Sequence, residues 1–118
     1  MRVLLVDDNV ELCGFLAACL RDAEIESTLA HDADRALAKI EAERFDVLII
    51  DSALHETDGI AFVEQIRATK SGRSIPILLM SGIGTALARR MASHAGCNEF
   101  LVKPFSATQL VERLQSLR

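Results

Sequence analysis

Short apolar runs alternate along the chain with longer stretches in which apolar residues recur every three to four positions. The runs are Val3 to Val6, Ile25 to Ala30, Val47 to Ile50, Ile75 to Met80 and Phe100 to Val102. Unbroken runs of this length suit strands covered on both faces, as in a parallel sheet. The second run differs, because Ile25, Ser27 and Leu29 alternate with Glu26 and Thr28, the half-exposed pattern of an edge strand. Between the runs the spacing is helical. Leu12, Phe15, Leu16, Cys19, Leu20 and Ala23 form one stripe, Ala33, Ala36, Leu37 and Ile40 a second, and Phe62, Val63 and Ile66 a third. Leu87, Ala88, Met91, Ala92 and Ala95 form the fourth, and Ala107, Leu110, Val111, Leu114 and Leu117 the fifth. Asp32 and Asp58 stand where N-caps of the second and third helices belong, and Ser106 with Gln109 makes a capping box for the fifth. Five βα units in succession predict an α/β domain built on a parallel sheet.

Composition narrows the picture without changing it. The chain has 118 residues, half of them hydrophobic, which is enough for one core and too few for two domains. A net charge of -4 gives no overall basic field for nucleic acid or an anionic membrane. The apolar runs are too short for a membrane span or a signal-peptide core, so a cytoplasmic protein is expected. Cys13 and Cys19 fall on different faces of one predicted helix, and Cys97 lies in a Gly-containing turn without the three or four Cys and His ligands a zinc site needs, so all three read as free thiols.

The candidate chemistry lies where the runs end. Val6 is followed by Asp7 and Asp8, Ile50 by Asp51, Met80 by Ser81 and Val102 by Lys103. In a parallel sheet these are all C-terminal ends, which share the edge where open α/β sheets bind ligands. Each residue alone has an ordinary reading: Asp8 or Asn9 as a helix cap, Asp51 as a loop residue, Ser81 as a cap, Lys103 as a solvated charge. Together they call for another account. Three carboxylates in one crevice repel unless a cation sits between them, and Mg²⁺ takes oxygen ligands of this kind. One carboxylate can then act as a nucleophile toward phosphorus, with an ammonium and a hydroxyl to hold the transferred oxygens.

The order and spacing of VLLVDDN, IIDSALHETDG, ILLMSG and EFLVKPFS around Asp51 resemble the receiver domain of two-component response regulators, over the whole chain. The resemblance implies a single receiver domain over residues 1–118. Its fold would be α/β and flavodoxin-like, a doubly wound five-stranded parallel sheet in strand order 2-1-3-4-5 with five helices. It also implies that Asp51 accepts phosphate from the phosphohistidine of a sensor histidine kinase or a histidine phosphotransfer protein. Asp7, Asp8, Asp51 and the backbone carbonyl of Ala53 would bind Mg²⁺. Ser81 would be the switch hydroxyl, Lys103 the phosphoryl contact and Phe100 the switch aromatic, with a cis peptide bond between Lys103 and Pro104. The surface of the fourth helix, fifth strand and fifth helix would switch, meeting an output domain or a second copy, with no direct contact to nucleic acid or membrane. In this family Ala53 and Ile83 would border the path of a hydrolytic water, and neither side chain can orient one.

The chain departs from the family in places. Leu54 and His55 stand where many receivers have Met and Pro, and Phe100 lacks the hydroxyl of the frequent Tyr. His55 alone reads as a solvated loop residue. Arg89 and Arg90 on the fourth helix read first as a solvated helix face, with contact to an acidic partner as the alternative. The competing reading is a Mg²⁺-dependent phosphohydrolase of the haloacid dehalogenase type, but that family sets nucleophile and acid two residues apart, whereas Asp7 and Asp8 are adjacent. A nucleotide- or flavin-binding module would need glycines in the turn after Val6, and they are missing. The expected activity is therefore signalling, with turnover confined to the protein's own Asp51. No effector segment follows Leu117, which is consistent with a free-standing receiver or one cut from a longer regulator or hybrid kinase.

Overall fold

A computed structural model of the protein describes residues 1–55 and 57–118. Strand β1 (Arg2–Val6) leads into helix α1 (Val10–Asp22), β2 (Glu26–Ala30) into α2 (Ala33–Ala42), and β3 (Val47–Asp51) into α3 (Gly59–Arg67). Then come β4 (Ile77–Ser81), α4 (Ala86–Ala95), β5 (Glu99–Val102) and α5 (Ala107–Gln115). The five strands form one parallel sheet in the order β2-β1-β3-β4-β5, the doubly wound topology expected. Central strand β3 is buried throughout, whereas β2 is exposed or half-buried until Ala30, as its alternating pattern requires of an edge.

Alternate residues of each strand serve two cores. Leu4, Val6, Leu48, Ile50, Ile77 and Leu79 pack on one face with Ala36 and Ile40 of α2, Phe62, Val63 and Ile66 of α3 and Ala92 of α4. Val3, Leu5, Val47, Ile49, Leu78 and Met80 pack on the other with Cys13, Leu16 and Leu20 of α1 and Leu110 and Leu114 of α5. Helices on both faces force every strand's C-terminal end to the same rim.

Two of the predicted stripes need correction. In α1 the inward line is Cys13, Leu16 and Leu20, and Phe15 turns out to solvent at 62% exposure. A side chain one position from Leu16 is rotated by roughly 100° around the axis, which carries it off the buried face. In α4 only Ala92 is fully covered, while Leu87 and Met91 stand exposed. The alanine row Ala88, Ala92 and Ala95 lies against the core instead.

The fourth strand begins two residues later than its apolar run. Pro76 has no N–H for a ladder, though its carbonyl accepts from Leu48 N at 2.9 Å, and the carbonyl of Ile75 is taken by Arg67. The caps follow expectation: Asp32 accepts from Arg35 N, Asp58 from Ile60 N, and Ser106 and Gln109 form the reciprocal box. One feature was not anticipated. After β3 the chain makes a two-residue antiparallel ribbon, Ala53–Leu54 against Thr57–Asp58, before entering α3.

That entry is tight. Gly59 N–H donates to the Ser52 carbonyl at 2.9 Å, and a Cβ at this position would overlap the Asp51 carbonyl oxygen and stand 2.5 Å from Ser52 Cα. The neighbours are backbone, so they cannot rotate away. Gly59→Ala is expected to destabilise the fold by about 1–3 kcal/mol, the usual range for overpacking. Urea unfolding of the two proteins checks this, and an unchanged midpoint would show that the loop yields freely.

Candidate functional site

Asp51 and Ser81 end their strands, Asp7 and Lys103 lie one residue beyond theirs and Asp8 two beyond, and the sheet's own ladder holds most of them. Asp7 N–H donates to the Ala30 carbonyl at 3.1 Å, Ser52 N–H to the Met80 carbonyl at 2.8 Å, and Lys103 N–H to the Ser81 carbonyl at 2.7 Å. The side chains of Asp7, Asp8 and Asp51 therefore converge, with a carboxylate oxygen from each lying within 4.8 Å of the others. Asp7 and Asp51 are nearly sealed from water, at 1% and 4% exposure, and Asp8 is half-buried. Lys103 Nζ donates to Asp51 Oδ1 at 2.9 Å and stands 3.9 Å from Asp7 Oδ2. The Lys103–Pro104 peptide bond is cis.

The charges do not balance. At an effective dielectric of about 20, two carboxylates at this separation repel by roughly 3–4 kcal/mol, and one ammonium in contact attracts each neighbour by a comparable amount. Three negative charges face one positive one. Burial pushes the Asp7 carboxyl above its ordinary pKa of 3.8; its bond from the Asn9 N–H opposes this, and the negative charge of Asp51 adds to it. Cys13, beneath the cluster, is pushed up to about 11 by burial and then by the same carboxylates.

Asp7 Oδ2 is buried and accepts no hydrogen bond among the described residues. An unpartnered carboxylate oxygen in a cluster of oxygen donors fits a hard divalent cation, which takes oxygen ligands and offsets the excess charge. Asp8 opens onto a cleft of about 420 Å³ bordered by His31, Asp32, Leu54, His55 and Thr57.

The other predicted residues fall around this centre in different ways. Ala53 is exposed in the ribbon two residues beyond Asp51, paired with Asp58. Ser81 is buried at the end of β4, but its Oγ is engaged by Ile83, donating to the carbonyl and accepting from the N–H, both at 3.1 Å. Its reading as a cap fails, because Thr85 caps α4. Asn9 caps α1, accepting from Leu12 N–H, which leaves Asp7 and Asp8 free of that duty. Phe100 is already buried, and the Arg89 guanidinium lies over its ring at 4.9 Å from the centroid.

Two residues at this edge were missed. The Asp7 carbonyl accepts from His31 Nδ1 at 2.9 Å and from the Cys13 thiol at 3.3 Å. For His31 a signal was present: it follows Ala30 at the end of the second run, so all five runs end in polar residues. Cys13 gave none, since a lone thiol on a predicted helix reads as a small apolar residue.

A family model described as the response regulator receiver domain matches residues 3–115. The chain belongs to this family. It is 34% identical to the transcriptional regulatory protein ZraR of Salmonella typhimurium over 96% of its own length and 25% of that protein's. To the response regulator MprA of Mycobacterium avium it is 32% identical over 99% of its length and 50% of that protein's. This receiver thus spans a quarter to a half of these relatives. The chemotaxis protein CheY4 of Vibrio cholerae superposes with a TM-score of 0.93 at 32% identity, covering 99% of this chain and 98% of the other. The receiver domain of the Pseudomonas aeruginosa sensor histidine kinase PA1611, solved with a magnesium ion coordinated in its active site cleft, superposes with a TM-score of 0.88 at 32% identity. That match covers 98% of this receiver and 95% of the other. The phosphohydrolase alternative finds no support in these matches. Among the described residues no helix is long and apolar enough to cross a membrane.

The raised pKa of Asp7 sets the sign of a stability effect. A carboxyl whose pKa is higher folded than unfolded stabilises the fold below the unfolded value, and that contribution is lost as pH rises through the folded value. In chelator, stability should therefore fall as pH rises above the ordinary carboxyl range, and Asp7→Asn should raise the melting temperature at pH 7, by roughly 4 °C per kcal/mol of relieved repulsion. Adding Mg²⁺ should raise the wild-type value by mass action and the variant's less. Scanning calorimetry with chelator and with Mg²⁺ measures all of these, and a wild type indifferent to both Mg²⁺ and the substitution would refute the account.

Proposed function

We propose that this receiver takes a phosphoryl group onto Asp51 from the phosphohistidine of a sensor histidine kinase or a histidine phosphotransfer protein, acting in the cytoplasm. The reading rests on one observation: three carboxylates converge beyond the ends of β1 and β3, the Lys103 ammonium reaches two of them, Asp51 and Asp7, and Asp7 Oδ2 has no hydrogen-bond partner among the described residues. Asp7, Asp8, Asp51 and the Ala53 carbonyl would hold Mg²⁺, which when bound neutralises the carboxylates and draws charge from phosphoryl oxygens.

The residues divide the remaining work. Lys103 occupies Oδ1 of Asp51, which leaves Oδ2 as the nucleophile. As Oδ2 forms its bond to phosphorus, the phosphorus–nitrogen bond breaks and its electron pair leaves with the donor imidazole, which takes a proton from solvent. The Lys103 ammonium then shifts toward the transferred oxygens, whose negative charge it neutralises. Ser81 joins it by giving up its bond to the Ile83 carbonyl. That movement alters the loop into α4, and with it the face of α4, β5 and α5 that carries Arg89 and Phe100. An output domain or a second copy of the chain would read that face.

Incubation with a small acyl-phosphate donor and Mg²⁺ should attach one phosphoryl group, mapped to Asp51, and Asp51→Asn should abolish it. Labelling undiminished in the variant would defeat the proposal. The lifetime of the product follows from the flanking residues. Ala53 offers no polar side-chain atom, and Ile83 is apolar and 63% exposed. Neither orients a water for in-line attack on phosphorus, so decay should be slow. An Ala53→Asn, Ile83→Glu double variant should lose its phosphoryl group about tenfold faster or more, given what an oriented water and general base contribute. Equal decay rates would show that these positions do not govern the water.

A further inference from the structure

The Asp7 peptide is held on every side. Its N–H is bonded to the Ala30 carbonyl, its side-chain Oδ1 accepts from the Asn9 N–H at 2.9 Å, and its carbonyl accepts from His31 and Cys13. A carbonyl oxygen can only accept, so the proton of His31 in this contact is on Nδ1. A thiol is a weak donor, which makes the imidazole at 2.9 Å the principal restraint on that carbonyl. The same peptide plane carries the N–H and Cα of Asp8, so fixing the Asp7 carbonyl also fixes where the Asp8 side chain sets out.

We propose that His31 is a positioning residue for the acid cluster: its Nδ1–H bond to the Asp7 carbonyl orients the 7–8 peptide so that both carboxylates face a divalent cation together. The inference rests on the reading of Asp7 and Asp8 as metal ligands given above. It adds a residue that directly follows the edge strand β2, a strand that supplies no ligand itself. His31 touches no ligand carboxylate through this bond and acts through the backbone. Restraints of this kind behind metal ligands commonly change affinity by about 10- to 100-fold when removed. A tie that served only to hold β2 against β1 would leave affinity alone and lower metal-free stability.

Three variants separate these roles. Asn places an amide nitrogen where Nδ1 stands, Gln places it where Nε2 stands, and Leu removes the donor. Mg²⁺ affinity is read on the whole chain without any phosphodonor, from amide chemical shifts of residues 7, 8 and 51 against Mg²⁺ concentration, with melting in chelator recorded alongside. His31→Leu and His31→Gln should weaken Mg²⁺ binding about tenfold or more, and His31→Asn should stay within about threefold of wild type. If the Leu variant does not fold, the contrast between Asn and Gln decides. Wild-type affinity in both Leu and Gln, or an equal loss in Asn and Gln, overturns the proposal while the metal reading stands. A wild type with no saturable Mg²⁺ response overturns the metal reading itself, and this proposal with it.

Discussion

Like charges crowded at one rim govern the organisation of this domain. Asp7, Asp8 and Asp51 bring carboxylate oxygens within 4.8 Å, and two of these residues are almost sealed from water, where their mutual repulsion is least screened. Lys103 is the internal counter-charge, 2.9 Å from Asp51 and 3.9 Å from Asp7. It offsets part of the excess. The raised pKa of Asp7 and its unpartnered Oδ2 are the same imbalance seen in proton affinity and in hydrogen bonding. Such an arrangement costs stability in isolation, and a bound divalent cation would offset that cost.

The rest of the fold keeps that arrangement from relaxing. Fully buried β3 holds Asp51 rigidly, with apolar cores on both sides. One further ladder bond beyond β1 and another beyond β5 fix the backbone of Asp7 and Lys103. Behind Asp51, Gly59 lets the chain entering α3 lie directly against the Asp51–Ser52 backbone, a contact that any Cβ would block. On the far side, Arg67 donates to the carbonyls of Gly72, Ile75 and Gly96 and to Asn98 Oδ1, tying the end of α3 to both segments that frame β4 and α4. Repulsion at the rim is thus met by a backbone with little freedom to move apart.

Between the rim and the outer surface of α4 and β5 the links are looser. Ser81 Oγ is engaged by Ile83 through two bonds at 3.1 Å. Arg89 rests on the ring of Phe100, and Arg113 bonds both Glu99 and the Phe100 carbonyl. A guanidinium on an aromatic face at an exposed site is worth only about 0.5–1 kcal/mol, so this surface can rearrange at small cost. A rigid charged centre beside a weakly fastened surface is the combination on which the proposed switch would rely.

Several features were legible in the sequence because they depend on local pattern. The alternation of apolar runs with helical stripes fixed five βα units, the alternating Ile25, Ser27 and Leu29 marked an edge strand, and Asp32, Asp58 and Ser106 marked helix starts. The polar residues ending the runs pointed to one rim because parallel strands place their C-terminal ends together. Other features depend on contacts between distant segments, which periodicity does not encode. Phe15, Leu87 and Met91 fit their stripes by spacing, yet which arc of a helix is covered is set by where its neighbours lie. The ribbon at Ala53–Leu54, the overlap forbidding a Cβ at Gly59 and the seat of Arg89 on Phe100 exist only once strands and helices have packed. His31 shows the division most plainly. Its place after a strand was visible in the chain, but its bond to Asp7, 24 residues away, arises from the parallel pairing of β1 with β2.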